Sequence, residues 1–173
     1  MLFASGVNFG FRRTIPHALG ISFGFAVLLM AVGVGLGVVL ERIPIVFLLL
    51  KIAGGLYMLY LAWRIAASGP VGDAERSGRP MSFLEAALFQ WVNPKAWVMA
   101  VVAMATYTQE GNYILNVAIV VFAFAFLNLP SVTVWAAFGV ALRSFLQDPL
   151  RLRIFNYLMA FALVASLWPM LKA

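Results

Sequence analysis

Long apolar runs alternate along the chain with short polar segments. A helix that crosses a bilayer needs roughly 20 apolar residues, and five runs reach or approach that length. Only three charged residues fall inside them, Lys51, Glu85 and Lys95. The runs cover residues 18–40, 44–63, 83–107, 113–140 and 155–171. This pattern predicts an all-α, polytopic membrane helix bundle with about five transmembrane helices, in a single domain over residues 1–173.

Composition supports the membrane assignment and narrows the chemistry. Hydrophobic residues make up 64% of the chain and charged residues 10%, which is more apolar surface than a soluble domain of this size buries. The chain has no cysteine, one histidine and six acidic residues. Disulfides and thiolate chemistry are therefore excluded, and there is little material for a catalytic or metal site. We predict neither an enzyme nor a bound cofactor or metal.

The basic residues are distributed unevenly between the two sides of the predicted membrane. Eight arginines, in segments 12–13, 64–79 and 143–153, fall on one side, whereas Arg42 and Lys172 fall on the other. By the positive-inside rule the first side is cytoplasmic. This predicts a multi-pass protein of the cytoplasmic (inner) membrane, with its N-terminus and the loop 66–81 in the cytoplasm. Topology then accounts for the net charge of +6 without a nucleic acid partner.

Asn93-Pro94-Lys95 interrupts the third apolar run. Proline lacks a backbone donor and clashes with the preceding turn, so a straight helix is not expected to continue through it. A lysine at membrane depth requires a partner or a wet cavity. The motif predicts a broken helix that lines a polar site, in which Lys95 receives a carboxylate. The alternative is that Lys95 extends to the cytoplasmic headgroups.

Three further polar positions lie inside the runs. Lys51 is seven residues into its run, where it either faces the same site or extends to the outer surface. Asn128, two residues before Pro130, marks either a second helix break facing the first or a hydrogen bond between helices. Glu85 is the only acid inside a run.

Two glycine pairs and the single histidine have simpler interpretations. Gly20 with Gly24, and Gly33 with Gly37, have the four-residue spacing that lets helices approach closely. Packing is therefore favoured over ligand contact, and the pairs leave room for a homodimer. His17 is predicted to be a wet side chain at the membrane interface, with a proton relay as the alternative.

Three stretches of the chain, in order, resemble the LysE/RhtB family of amino-acid exporters. They are residues 4–14 followed by Gly20, residues 50–63, and Phe83 followed by residues 93–96. The resemblance implies secondary transport of amino acids or similar small zwitterions out of the cytoplasm, driven by the proton gradient. It also implies a fold of six helices in two halves of three. The substrate-binding residues would then be Asn93, Pro94, Lys95, Lys51 and Asn128, and Glu85 would be the proton-coupling residue.

One family feature is not found in the chain. Members carry a Pro-Gly-Pro motif in their first helix, and this sequence resembles the family only after that point. Residues 1–11 are apolar but too short to span a membrane. We therefore expect an N-terminally incomplete transporter domain. The alternative is a truncated, inactive membrane fragment of such a transporter.

Overall fold

The computed structural model describes residues 1–37, 44–68, 79–108 and 111–168. Those residues form seven α-helices and no strand. A π-helical turn, Val32–Leu36, follows the second helix, and a 3₁₀ turn, Phe145–Gln147, precedes the last. The predicted all-α class is confirmed. The helices are α1 (Leu2–Phe9), α2 (Phe11–Ala31), α3 (Pro44–Ala66), α4 (Phe83–Val92), α5 (Pro94–Tyr107), α6 (Tyr113–Arg143) and α7 (Pro149–Ala165).

Two helical stretches in the described part of the chain, Phe11–Leu36 and Tyr113–Arg143, are long and apolar enough to cross a membrane. The first begins at Phe11, before the apolar run, and its first turn contains Arg12 and Arg13. The last helix also begins early, at Pro149, because the Asp148 side chain accepts hydrogen bonds from the next backbone N–H groups at 2.9 and 3.0 Å. An acidic N-cap followed by proline is a strong helix start.

Helices α2 and α4 run parallel and are held together through glycines. A side chain at Gly20 would collide with the Phe83 carbonyl, and a methyl group at Gly24 would lie 2.6 Å from the Ala87 Cα atom. The predicted packing role of this pair is confirmed, since the absence of side chains lets the two backbones meet. This pair is occupied within the chain, and the predicted homodimer stays a prediction.

Helix α1 folds back at Gly10 and packs antiparallel along α6. Gly10 has φ 79°, a conformation that glycine adopts without strain. A side chain at Gly6 would collide with the Ala136 carbonyl, and one at Gly139 would collide with the Phe3 carbonyl. The reciprocal glycines bring the two helices together along the length of α1.

The second glycine pair does not lie on a regular helix. Gly35, between its members, has φ 109° inside the π-helical turn. A methyl group at Gly33 would lie 2.6 Å from Val117 Cγ1, and the Gly33 carbonyl accepts a 2.7 Å hydrogen bond from the Tyr113 hydroxyl. Gly33 therefore packs closely against α6, although the four-residue spacing is not what produces the contact.

Of the two alternatives for Asn128, the second helix break is wrong, and the hydrogen bond between helices stays a prediction. Helix α6 is one continuous helix of 31 residues with Pro130 inside it. Proline removes one hydrogen bond, and the remaining bonds carry this long helix past it. The Thr133 hydroxyl also donates to the Leu129 carbonyl at 2.7 Å, which connects the turns before and after the proline.

Candidate solute-binding site

The predicted break at Asn93 is confirmed. Helix α4 ends at Val92, α5 begins at Pro94, and Asn93 between them is extended, with φ −90° and ψ 103°. Proline disfavours helical geometry in the residue before it and is suited to the first position of a helix. Ten residues of α4 at 1.5 Å each put the break about 15 Å from the helix start, near the middle of a 30 Å membrane core.

Nearby side chains satisfy part of the backbone that the break exposes. The Asn93 Oδ1 atom accepts a 3.2 Å hydrogen bond from the Lys95 backbone N–H. The Trp97 indole donates to the Trp91 carbonyl at 2.8 Å. The break is therefore a one-residue joint between two helices, in which Asn93 caps the N-terminus of α5, rather than an unwound segment.

Helix α3 crosses directly over this joint. A side chain at Gly54 would collide with the Val92 carbonyl, and its Cβ would lie 3.1 Å from Pro94 Cδ. Lys51 is half-buried and lies three residues before Gly54, so the two share one face of α3. The sequence-predicted residues Lys51, Asn93 and Pro94 therefore belong to one region.

Lys95 and Asn128 are placed less centrally. Lys95 is the second residue of α5 and is exposed on the surface of the bundle. Asn128 is half-buried on α6, one turn beyond Phe124. The Phe124 ring lies 6.2 Å from the Phe25 ring, and Val132 packs with Ala18. Asn128, between them on α6, is therefore level with the part of α2 that contacts the start of α4, and not with the joint.

Glu85 is at the start of α4, away from the joint. Its carboxylate accepts two 2.6 Å hydrogen bonds from the Arg79 guanidinium and one of 2.7 Å from the Ser82 N–H. The Ser82 hydroxyl accepts from the Glu85 N–H at 3.2 Å, which completes a capping box. This bidentate pair fixes the carboxylate where α4 begins.

A polar cavity that the sequence did not predict lies between α1, α2, the end of α3 and residues 79–81. It encloses about 90 Å³, is open to the surface of the bundle, and has a lining that is more apolar than polar. Its polar lining comes from Ser5, Asn8, His17, Arg64, Ser68 and Arg79. No acidic residue is among the described residues that line it.

Two of these side chains are buried with unused hydrogen-bonding atoms. His17 is 3% exposed, and neither ring nitrogen has a partner within the described ranges. Asn8 is also 3% exposed; its Nδ2 donates to the Ala4 carbonyl at 2.9 Å, whereas its Oδ1 has no partner there. Buried polar groups are almost always satisfied, so a cavity beside such atoms is a candidate site for a ligand or water.

The prediction that His17 is a wet interfacial side chain is wrong. The turn at Gly10 folds α1 against α2 and covers the histidine. A signal was present in the sequence: Ser5 and Asn8, then Thr14 and His17, are polar residues three apart in apolar surroundings. All four are buried, and the Ser5 and Thr14 hydroxyl oxygens are 3.1 Å apart.

The arginine-bearing helix ends meet at this end of the bundle, as the charge pattern predicts. Arg64, at the end of α3, donates to the Arg79 carbonyl at 3.3 Å. A methyl group at Gly10 would lie 3.0 Å from an Arg143 guanidinium nitrogen. The polar cavity therefore opens at the arginine-rich end.

Long apolar helices, a helix broken midway and a cavity with polar groups at one end are features that many membrane transport proteins share. The family model described as LysE type translocator matches residues 1–166. The chain belongs to the LysE type translocator family, so it is a membrane protein of a transporter family and not an enzyme. The resemblance inferred from the sequence is confirmed.

Relatives within the family carry more specific names. A cysteine/O-acetylserine efflux protein of Salmonella typhimurium is 33% identical over 115 residues, which cover 64% of this chain and 58% of the relative. One of Escherichia coli strain K12 is 31% identical over 121 residues, 67% of this chain and 61% of the relative. The match thus spans about three fifths of these relatives' length. No solved structure matches.

Proposed function

We propose that this chain exports small zwitterionic amino acids from the cytoplasm across the inner membrane. The broken helix α4–α5 carries the proposal, because discontinuous helices near the membrane midplane are where many transporters bind their solutes. The efflux relatives support it. Cysteine and O-acetylserine are the first substrates to test, since those relatives are named for them.

In this proposal the joint provides both the substrate site and the hinge. Lys51 and Lys95 supply positive charge for the substrate carboxylate, and Asn128 supplies a polar contact from α6 on the path between the arginine-rich end and the joint. Asn93 and Pro94 set the angle between α4 and α5, so a small rotation at Asn93 moves α5 relative to α3. Hinges of this kind absorb a conformational change in one or two residues.

Coupling to the proton gradient is part of the proposal, with Glu85 as the carrier. Its carboxylate is held by Arg79 through two 2.6 Å hydrogen bonds, and those bonds favour the charged form. Protonation therefore requires Arg79 to move away. We expect loss of this ion pair to accompany proton uptake at the arginine-rich end, which we assign to the cytoplasm together with the N-terminus and loop 66–81.

The test is efflux from bacterial cells that express this 173-residue chain and are preloaded with amino acids as dipeptides. Cysteine and O-acetylserine are measured in the medium over time. We expect faster efflux than from cells with an empty vector, and a loss of most of the gain in Lys95→Ala. Lys95→Arg keeps the charge and is the matched control.

Two results would contradict the proposal, the first in the role of Lys95 and the second in export itself. If Lys95→Ala exports as fast as the unchanged chain, Lys95 is not a substrate residue. If the chain reaches the membrane in normal amounts and efflux equals that of the empty vector, the inactive-fragment interpretation replaces export as the function of these 173 residues.

A further inference from the structure

The polar cavity at the arginine-rich end is separate from the joint at Asn93. None of Lys51, Asn93, Lys95 and Asn128 is among the residues that line it. It is lined instead by α1, the first half of α2, the end of α3 and residues 79–81. Its polar groups are consequently not used by the binding residues predicted from the sequence.

The charge of the cavity favours a carboxylate. Two guanidinium groups line it, and the charge of Arg79 is matched by Glu85. Met1 also lines the cavity, and its amino group adds positive charge near His17. Arg64 has no carboxylate partner in the described segments; it donates to the Arg79 carbonyl and its guanidinium carbon lies 5.9 Å from the centre of the Tyr60 ring. An arginine that is left without an acid in a partly enclosed space is suited to bind an incoming carboxylate.

The unpartnered atoms of Asn8 and His17 require a ligand that both donates and accepts hydrogen bonds. Asn8 Oδ1 can only accept, so it requires an N–H or O–H from a ligand. A neutral His17 ring offers one donor and one acceptor. One carboxylate near Arg64 and His17, together with one ammonium near Asn8, would satisfy all three side chains. A small α-amino acid carries both groups on adjacent atoms.

We propose that this cavity is a cytoplasmic binding site for a small α-amino acid, with Arg64 and His17 binding the carboxylate and Asn8 the ammonium group. The identity of the solute rests on the proposed function, whereas the position of the site rests on the buried unpartnered atoms. The cavity would collect the amino acid at the membrane face before it reaches the joint. Binding here does not require transport.

The single histidine of the chain provides a direct readout. His17 is the only one, so a protein labelled with ¹⁵N-histidine gives imidazole signals from one ring. The purified chain in lipid nanodiscs is titrated at constant pH with L-serine, with serine methyl ester, which lacks the carboxylate, and with 3-hydroxypropanoate, which lacks the ammonium group. We expect a saturable shift with serine alone at concentrations where the two analogues cause little change.

Matched variants locate the binding. Arg64→Gln should weaken serine binding on the order of tenfold, since a hydrogen bond to a charged group is lost. Arg64→Lys should retain more of the binding, and Asn8→Leu should weaken it. Arg153→Gln removes an exposed arginine of α7 that is not among the lining residues, and should leave binding unchanged. Circular dichroism confirms that each variant is folded.

Three outcomes overturn the proposal: no shift with serine, equal shifts with all three compounds, or binding by Arg64→Gln that equals binding by the unchanged chain. No shift with serine would mean that the cavity does not bind the amino acid, and equal shifts would mean that neither its carboxylate nor its ammonium group is recognised. Efflux without a His17 shift would refute this site and leave export standing. A specific shift without efflux would support the site and refute export.

Discussion

Gly54 is the point where α3 meets the break in the α4–α5 pair, and Gly54→Ala tests how that joint is held. The added methyl group would collide with the Val92 carbonyl and approach Pro94 Cδ to 3.1 Å. Both obstacles are fixed parts of the chain that cannot rotate aside. Helix α3 must therefore move away by about 1.5 Å to restore ordinary contact distances.

Two opposing effects set the size of the change. Alanine favours a helix over glycine by about 1 kcal/mol. Overpacking against immobile atoms costs about 1–3 kcal/mol, and a backbone obstacle places this site at the upper end. The displacement also disturbs the contact between Tyr57 and Phe89, whose ring centres are 5.4 Å apart. We expect a net loss of about 2 kcal/mol in the free energy of unfolding.

The assay is thermal unfolding of the purified chain in detergent, followed by circular dichroism. A loss of about 2 kcal/mol lowers Tm by roughly 4–8 °C for a chain of this length. The matched control is Ala53→Leu, which adds a larger side chain one residue away on the exposed face of α3. Alanine and leucine have similar helix propensities, so its Tm should change little.

A Tm for Gly54→Ala equal to or above that of the unchanged chain would refute the reasoning, because helix propensity would then outweigh the close contact. A fall of the same size in Ala53→Leu would show that α3 tolerates no added volume anywhere. In either case the close approach at Val92 would not be what holds the joint.

Two further substitutions test the cap at the joint and the contact that holds the end of α3. Asn93→Ala removes the cap on the Lys95 N–H and should lower stability by about 1 kcal/mol, measured by the same unfolding assay, while Asn93→Asp keeps the cap and should lose less. Asn156→Ala removes the 3.2 Å hydrogen bond to the Ser68 carbonyl at the end of α3 and should also cost about 1 kcal/mol. An Asn156→Ala Tm unchanged within error would show that this contact does not anchor α3.

The helices could largely be predicted from the sequence, because their causes are local. An apolar run of about 20 residues becomes a helix in a membrane, since backbone groups there have no water to bond. The break at Asn93 follows from the covalent ring of Pro94 in the same way. Charge placement also predicted that the arginine-bearing helix ends lie together.

The same rule, that proline breaks a helix, also allowed a break near Pro130 and Asn128, and none is found there. Both prolines lie within apolar runs, yet α6 continues through Pro130 whereas the α4–α5 pair breaks at Pro94. At Pro94 the Asn93 side chain caps the new helix, and Gly54 lets α3 pack over the joint. A proline in the sequence does not by itself show whether a side-chain cap and a neighbouring helix will stabilise a break.

The sequence by itself determined which segments are helical, where one of them breaks and which ends carry positive charge. Each depends on residues within a few positions of one another. Only the tertiary structure decided that His17 and Asn8 are buried beside Arg64, that Glu85 is held by Arg79, and that Gly54 lies against Val92. These arrangements depend on how α1 folds back at Gly10 and how α3 crosses α4, and contacts between distant segments are set by packing of the whole bundle rather than by local preference.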